Sequence, residues 1–584
     1  MEWFSRTVDT LNTFIWEKGI PVGDEVIPFV VIALIGTGIF LTLRFGFVQL
    51  RYFRHGVAVT SGKYDDPDDP GDVSHFQALT TALSATVGIG NIAGVAIAIH
   101  WGGPGALFWM WVTAFFGMAI KYAEVVLAQH YRQVEGPDRD PTKWEGTVSG
   151  GPMYYIERGL GPRWKWMAVF FAIMLGSTAF LTGNAVQANT VSDSLHSAFG
   201  VPPWVTGLIT ASIVFAVIVG GITRIGRVTA ILAPAMAAIY GLGALYVVIV
   251  NYSQILPSFQ LIFTEAFNPT AGVAGTGVGA ILVTMMWGVK RGLFSNEAGQ
   301  GSAPIAHAAA KTDEPVSEGV VALLEPFIDT IVICTLTALT IIITGVWNER
   351  MPTELVLTSG DVSYVTFRED DRLIFTQRPS ELRIVGGEHA ETGVGAPLFA
   401  WHEAPVERFF VDEEMTRPFT GVIDVQAGVA IGEDGQRYTS LWGEAVESGA
   451  PLTMLAFQKA LPGEWGSHIV LIGVILFGIS TAISWSYYGD RCANYLLGAR
   501  AVLPYRMIYV VMHFIGAVLP LASIWALGDV FLGVVILPNL IALILLAPKV
   551  HELTKSYFER KPWLKSVEAR QRQLAAQAAG KQPR

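Results

Sequence analysis

Residues 83–94, LSATVGIGNIAG, place three glycines, Gly88, Gly90 and Gly94, inside an otherwise apolar run. Residues 287–304, WGVKRGLFSNEAGQGSAP, crowd Gly, Ser, Asn296, Glu297 and Pro304 into a second apolar run. A helix that comes apart in hydrocarbon bares carbonyl oxygens on one half and N–H groups on the other, which is tolerated only where those groups face protein or a cavity. Bared carbonyls are ligands for a cation, and bared N–H groups are ligands for a carboxylate. The stretch around Ile89, Gly90 and Asn91 and the stretch around Phe294 to Asn296 are where such groups would be bared. Close helix packing across small residues would explain the first glycines alone. It does not explain the polar side chains of the second stretch. Two interrupted spans in corresponding positions of two halves point to a transport site.

The elements that must position these residues are membrane spans. The chain has 584 residues, 52% of them hydrophobic and 15% charged, against roughly 25% charged in soluble domains. Apolar runs long enough for a hydrocarbon layer of about 30 Å recur along it. They predict an all-α polytopic membrane protein of about eleven transmembrane helices, at 26–47, 76–99, 104–131, 166–195, 203–222, 228–250, 272–310, 317–346, 467–488, 507–526 and 528–546. The second and seventh carry the glycine-rich stretches, so five spans separate their starts, as an inverted repeat of two five-helix sets requires. Residues 1–25 lack the basic, apolar and small-residue order of a signal peptide. The first span is therefore expected to be retained.

Basic residues sort the loops. Arg51, Arg54 and Lys63 follow the first span, Arg132, Arg139, Lys143, Arg158, Arg163 and Lys165 the third, and Arg224 and Arg227 the fifth. Lys311 follows the seventh, Arg491, Arg500 and Arg506 the ninth, and Lys549, Lys555, Arg560 and Lys561 the last. The intervening short loops, 100–103, 196–202, 251–270 and 525–529, contain no Lys or Arg. By the positive-inside rule the N-terminus is outside and the C-terminus cytoplasmic. The expected location is the plasma membrane, the inner membrane of a bacterium.

Between the eighth and ninth spans, 348–443 is polar, with short β-prone runs at 364–367, 373–376, 409–411 and 422–425. The expected domains are an extra span and cytoplasmic loop (1–75), a first part of a transporter core (76–346), a strand-rich external insert (347–449), a second part of the core (450–550) and a cytoplasmic tail (551–584) whose end, from 567, fades from helix to disorder. The net charge of −10, much of it in the insert and in 65–72, argues against a nucleic-acid partner. Cys334 and Cys492 cannot form a metal–thiolate site.

Several strings resemble the alanine/glycine:cation symporter family: 84–94, GGPMY at 150–154, GNAVQAN at 183–189 and 292–304, with KTD at 311–313 and FGISTAISWS at 477–486. The resemblance covers about 76–346 and 450–546, and it implies a LeuT-type fold of 5+5 inverted repeats with two broken helices. It further implies a sodium ion held by backbone oxygens of Ser84 and Val87 with the hydroxyls of Ser480 and Thr481, and a second cation position near Thr86 and Asn91. Gln187, Trp287, Asn296, Thr481 and Trp485 should line the substrate pocket, where two tryptophans leave room for a short side chain such as that of alanine or glycine. The insert has no counterpart in the family pattern.

The implied function is sodium-coupled symport of a small neutral amino acid by alternating access, with sodium as coupling ion and no other cofactor. The implied partners are substrate, sodium and lipid, and the oligomeric state is left open. Neutral hydroxyl and carbonyl ligands suit an alkali cation that must also leave. Back-bonding of Ser480 and Thr481 to the preceding turn is the plainer alternative. Rival functions are a proton-coupled or exchange carrier and an amino-acid-sensing receptor that uses the insert. No Walker loop, nucleophile elbow or HExxH points to an enzyme. Lys121, Glu124, Lys290, Arg291, Glu297, Glu325 and Asp329 fall inside predicted spans, where charges mark function by default. Lys121 and Glu124 are spaced to pair, and Asp329 is either a gate or a structural hydrogen-bond partner.

Overall fold

The structure, a computed structural model, describes residues 11, 14–16, 18–22, 25–66, 69–134, 148–269, 278–358, 362–367, 373–402, 404–463, 465–519 and 521–564. The expected disordered tail from 567, the basic residues Arg139 and Lys143, and the start of the seventh predicted span lie outside the described residues.

Helices dominate: α1 (Phe29–Arg44), α2 (His75–Thr86), α3 (Ala93–Gly102), α4 (Ala106–His130), α5 (Lys165–Phe180), α6 (Val186–Phe199), α7 (Pro203–Ile218), α8 (Gly221–Val250), α9 (Ile255–Phe267), α10 (Val278–Asn296), α11 (Ala303–His307), α12 (Pro315–Ala322), α13 (Thr335–Thr344), α14 (Gly449–Ala460), α15 (Trp465–Leu497), α16 (Val502–Val518) and α17 (Leu521–Arg560). Among the described residues, seven helical segments are long and apolar enough to cross a membrane, or eight if α2 and α3 make one bent span. The protein is a multi-pass membrane protein. Two segments widen into π-helix, Leu181–Ala185 between α5 and α6 and Phe327–Cys334 before α13.

Local sequence explains the starts and bends. Ser74 and Gln77 form a capping box: Ser74 Oγ accepts from the Gln77 N–H at 3.2 Å and Gln77 Oε1 from the Ser74 N–H at 3.0 Å, fixing where α2 begins. Proline stands in the first turn of α7, where its missing N–H costs nothing. One expectation fails. Residues 251–270, taken as a short loop, contain the 13-residue helix α9, which is too short to cross a membrane. It packs beside α4, with the Trp109 indole donating to the Ala266 carbonyl at 3.2 Å.

Between α13 and α14, the described residues form antiparallel sheets of four, three and five strands. They include Val362–Phe367, Leu373–Phe375, Phe409–Phe410 and Gly421–Asp424, over the predicted β-prone runs. Leu355, Ile384, Phe399, Phe409 and Leu441 give this region its own apolar core. Met351 pairs with Ala445, so the chain enters and leaves it at one point. A ring nitrogen of His100, near the end of α3, lies 2.8 Å from the His402 carbonyl and joins the region to the membrane helices.

Candidate substrate and cation site

The first break follows from the glycines. The last α2-type bond runs from the Val87 N–H to the Leu83 carbonyl at 2.7 Å, after which Gly88 is extended (φ −122°, ψ −161°) and Ile89–Asn91 make one tight turn. The chain direction changes by 61° between α2 and the segment Ile89–Gly102. Carbonyls at the break are met by hydroxyls from other helices, Ile92 O in addition to its bond from the Ala96 N–H. Ser84 O accepts from Thr481 Oγ1 at 3.1 Å and from Ser480 Oγ at 3.4 Å, Asn91 O from Thr337 Oγ1 at 2.8 Å, and Ile92 O from Thr453 Oγ1 at 3.1 Å.

Three expected sodium ligands, Ser84, Ser480 and Thr481, therefore converge. Ser84 Oγ is buried and has no hydrogen-bond partner among the described residues. The Ser84 carbonyl and the hydroxyls of Ser480 and Thr481 are uncharged oxygens, the type of ligand a weakly held alkali cation takes. Ser480 Oγ also donates back to Phe477 O at 3.0 Å, so both explanations of that hydroxyl hold together. Val87 lies at the end of the same helix. Thr86 turns back to Leu83 O at 3.3 Å.

Substrate candidates gather around the same turn. A Cβ on Gly88 would lie 2.7 Å from Thr481 Oγ1 and 3.4 Å from Gln187 Oε1. Gln187 Nε2 donates to Thr182 O at 3.1 Å, and Gln187 Oε1 is buried with no partner among the described residues. A Cβ on Gly90 would lie 2.9 Å from the Phe294 ring, so the two breaks touch there. Asn91 turns its oxygen to the Gly88 N–H at 2.9 Å and its amide nitrogen to Asp329 Oδ1 at 2.6 Å.

At the second break, α10 ends at Asn296, and Glu297, Gly299 and Gly301 all take positive φ (54°, 93° and 74°) before α11. Only glycine accepts such angles without strain; Glu297 is the exception. Its carboxylate is held by Ser302 Oγ and by Trp485 Nε1, the latter at 2.9 Å. Asn296 Oδ1 accepts from the Ala298 N–H at 3.0 Å, while its amide reaches Thr330 Oγ1 at 3.3 Å. The N–H groups of Gly299 and Gly301 both go to Glu124 Oε1 at 3.1 Å, which Asn539 also contacts at 2.5 Å. Here a protein carboxylate already occupies the bared N–H groups.

Glu124 is therefore not the partner of Lys121. Lys121 Nζ pairs instead with Glu325 at 3.2 Å, because Glu124 is drawn to the break. Glu325 continues through His307 (2.5 Å) to Glu318 (2.5 Å) and on to His75, all four buried. The expected tryptophans part company. Trp485 is buried beside Gly183, where a Cβ would lie 2.3 Å from its Cγ. Trp287 stacks on Trp101 (centroids 5.3 Å apart, planes at 7°), with Lys290 and Arg291 each 5.3 Å from its ring. Sequence reading missed Thr337, Thr453, Asn539, His75, His307 and Glu318. Each is a polar residue within or at the end of a helix in the apolar core, and only its partner gives it meaning.

The sodium:alanine symporter family matches residues 1–365 and 419–571. The chain belongs to the sodium:alanine symporter family. The stretch the family match omits, 366–418, lies within the strand-rich region and is narrower than the 348–443 expected to lack a counterpart. Within the family, the chain is 39% identical to the sodium/alanine symporter AgcS of Methanococcus maripaludis over 95% of its own length and 98% of that protein's. It is 30% identical to the amino-acid carrier protein AlsT of Bacillus subtilis over 96% and 93% of the two chains. It is 29% identical to a Bacillus subtilis protein named "Probable sodium/glutamine symporter GlnT", over 95% and 91%.

Proposed function

We propose that this chain carries a small neutral amino acid, alanine or glycine, into the cell together with sodium by alternating access. The observation that carries the reading is Ser84 O, bared by the first break and facing the hydroxyls of Thr481 and Ser480. Sodium would bind between Ser84, Val87, Ser480 and Thr481, bridging α2 and α15, with a second position near Thr86 and Asn91. The substrate carboxylate would meet the turn at Ile89, Gly90 and Asn91, its ammonium the carbonyls around Phe294 to Asn296, with Gln187, Trp287 and Trp485 around it. The name of AgcS supports alanine. The close approaches of Gly88 to Thr481 and of Gly90 to Phe294 support a short side chain. A LeuT-type arrangement of about eleven spans, with the N-terminus outside and the C-terminus in the cytoplasm, is the frame we assign to it.

The test is uptake of radiolabelled alanine and glycine into proteoliposomes. Accumulation should follow an inward sodium gradient and collapse when potassium replaces sodium. Equal uptake in both salts would overturn the reading. The buried file His75–Glu318–His307–Glu325–Lys121 favours a second reading, in which protons are the coupling ion. Accumulation driven by a pH gradient without sodium would select it.

A further inference from the structure

We infer that Asp329 is a positioning residue that sets the gap between the two helix breaks and thereby limits the size of side chain the carrier accepts; the inference rests on the carrier reading above. Asp329 is fully buried, and each of its carboxylate oxygens holds a different break. Oδ1 accepts from Asn91 Nδ2 at 2.6 Å, on the first. Oδ2 accepts from Ser295 Oγ at 2.6 Å, on the second, and from Thr330 Oγ1 at 2.7 Å. Asn91 Nδ2 and Ser295 Oγ are themselves 3.1 Å apart, which closes the triangle.

The effect reaches the backbone. With its nitrogen committed to Asp329, Asn91 can only turn its oxygen to the Gly88 N–H, so the carboxylate decides how the first turn is presented. Next to Ser295, Phe294 meets Gly90 so closely that a methyl group would not fit between them. The distance between the breaks at that point is the distance the clamp imposes. Asp329 sits in the π-helical stretch that follows Pro326. Such widened turns re-aim side chains and recur at functional sites. Among the described residues, no Lys, Arg or His forms an ion pair with Asp329. A clamp acts by shape, so an uncharged residue of the same shape should serve in its place.

Asp329→Asn keeps an oxygen for Asn91, and its amide can donate to Ser295 Oγ. Asp329→Ala removes both arms. In proteoliposomes, Asp329→Ala should raise the KM for alanine about tenfold or more and lower the preference for alanine over larger neutral amino acids. Asp329→Asn should restore both to within about threefold of wild type. If Asp329→Asn behaves like Asp329→Ala, the charge matters rather than the geometry and the inference is wrong. It is equally wrong if Asp329→Ala leaves the KM and the size preference intact. Should Asp329→Ala not fold, Ser295→Ala cuts one arm alone and should move the size preference the same way; no movement overturns the proposal. Absence of sodium-driven uptake in the wild type would instead refute the carrier reading.

Discussion

The indole nitrogen of Trp485 donates to Glu297 Oε1 across 2.9 Å, joining α15 to the strained residue at the second break. That single bond links the helix bearing Ser480 and Thr481 to the segment whose φ of +54° only a committed side chain would hold. Trp485→Phe keeps the ring and removes the donor. Losing a hydrogen bond to a charged group costs about 1.5–3 kcal/mol, so alanine uptake should fall roughly tenfold or more while the detergent-solubilised protein stays monodisperse. Uptake within twofold of wild type would show that the bond is not needed.

Thr481→Val deletes the hydroxyl that faces Ser84 O at 3.1 Å and keeps the volume. The sodium concentration for half-maximal uptake should rise about tenfold, the equivalent of about 1.4 kcal/mol, and Thr481→Ser should restore it. Ser480→Ala should shift it less, because Ser480 Oγ is 3.4 Å from Ser84 O and is shared with Phe477 O. Sodium titrations of uptake decide between the two.

Gly183 has no room for a methyl group against Trp485. Gly183→Ala must push the indole aside, and overpacking of this kind costs about 1–3 kcal/mol. We expect transport to collapse together with the Trp485–Glu297 bond. A fully active Gly183→Ala would mean the ring can move without consequence.

Glu124 receives the Gly299 and Gly301 N–H groups and the Asn539 amide. Glu124→Ala strands the two buried backbone donors, at about 1–3 kcal/mol per unsatisfied group, while the Asn539 amide keeps the Gly299 carbonyl at 2.9 Å. The melting temperature in detergent should drop by several degrees, with Glu124→Gln intermediate because its carbonyl oxygen can still accept. A melting temperature unchanged in Glu124→Ala would show that water reaches the break.

How far the sequence could be read depended on the range of the interaction. The break at Gly88 and Gly90 falls where glycines interrupt a predicted span, although close helix packing would explain those glycines as well; the polar side chains of the second stretch, set in an apolar run, are what pointed beyond packing. Ser84, Ser480 and Thr481 were brought together by resemblance, and the structure places them within hydrogen-bond reach. Glu124 defeated local reasoning. Three residues from Lys121, it is claimed by a break some 175 positions away. Asp329 was visible as an intramembrane charge, yet its two partners come from different spans and no periodicity foretells them. The 251–270 segment was misread because the absence of Lys and Arg marks a side of the membrane, not a lack of helix.

Because Met351 lies opposite Ala445 on paired strands, the transmembrane helices on either side experience the whole strand-rich region as though it were one tight turn. Its length is invisible to them. Natural variation can lengthen or trim the region beyond that doorway without moving those two helices apart, so long as the His402 carbonyl still meets His100 of α3, and a reporter protein whose own ends lie side by side could be grafted there.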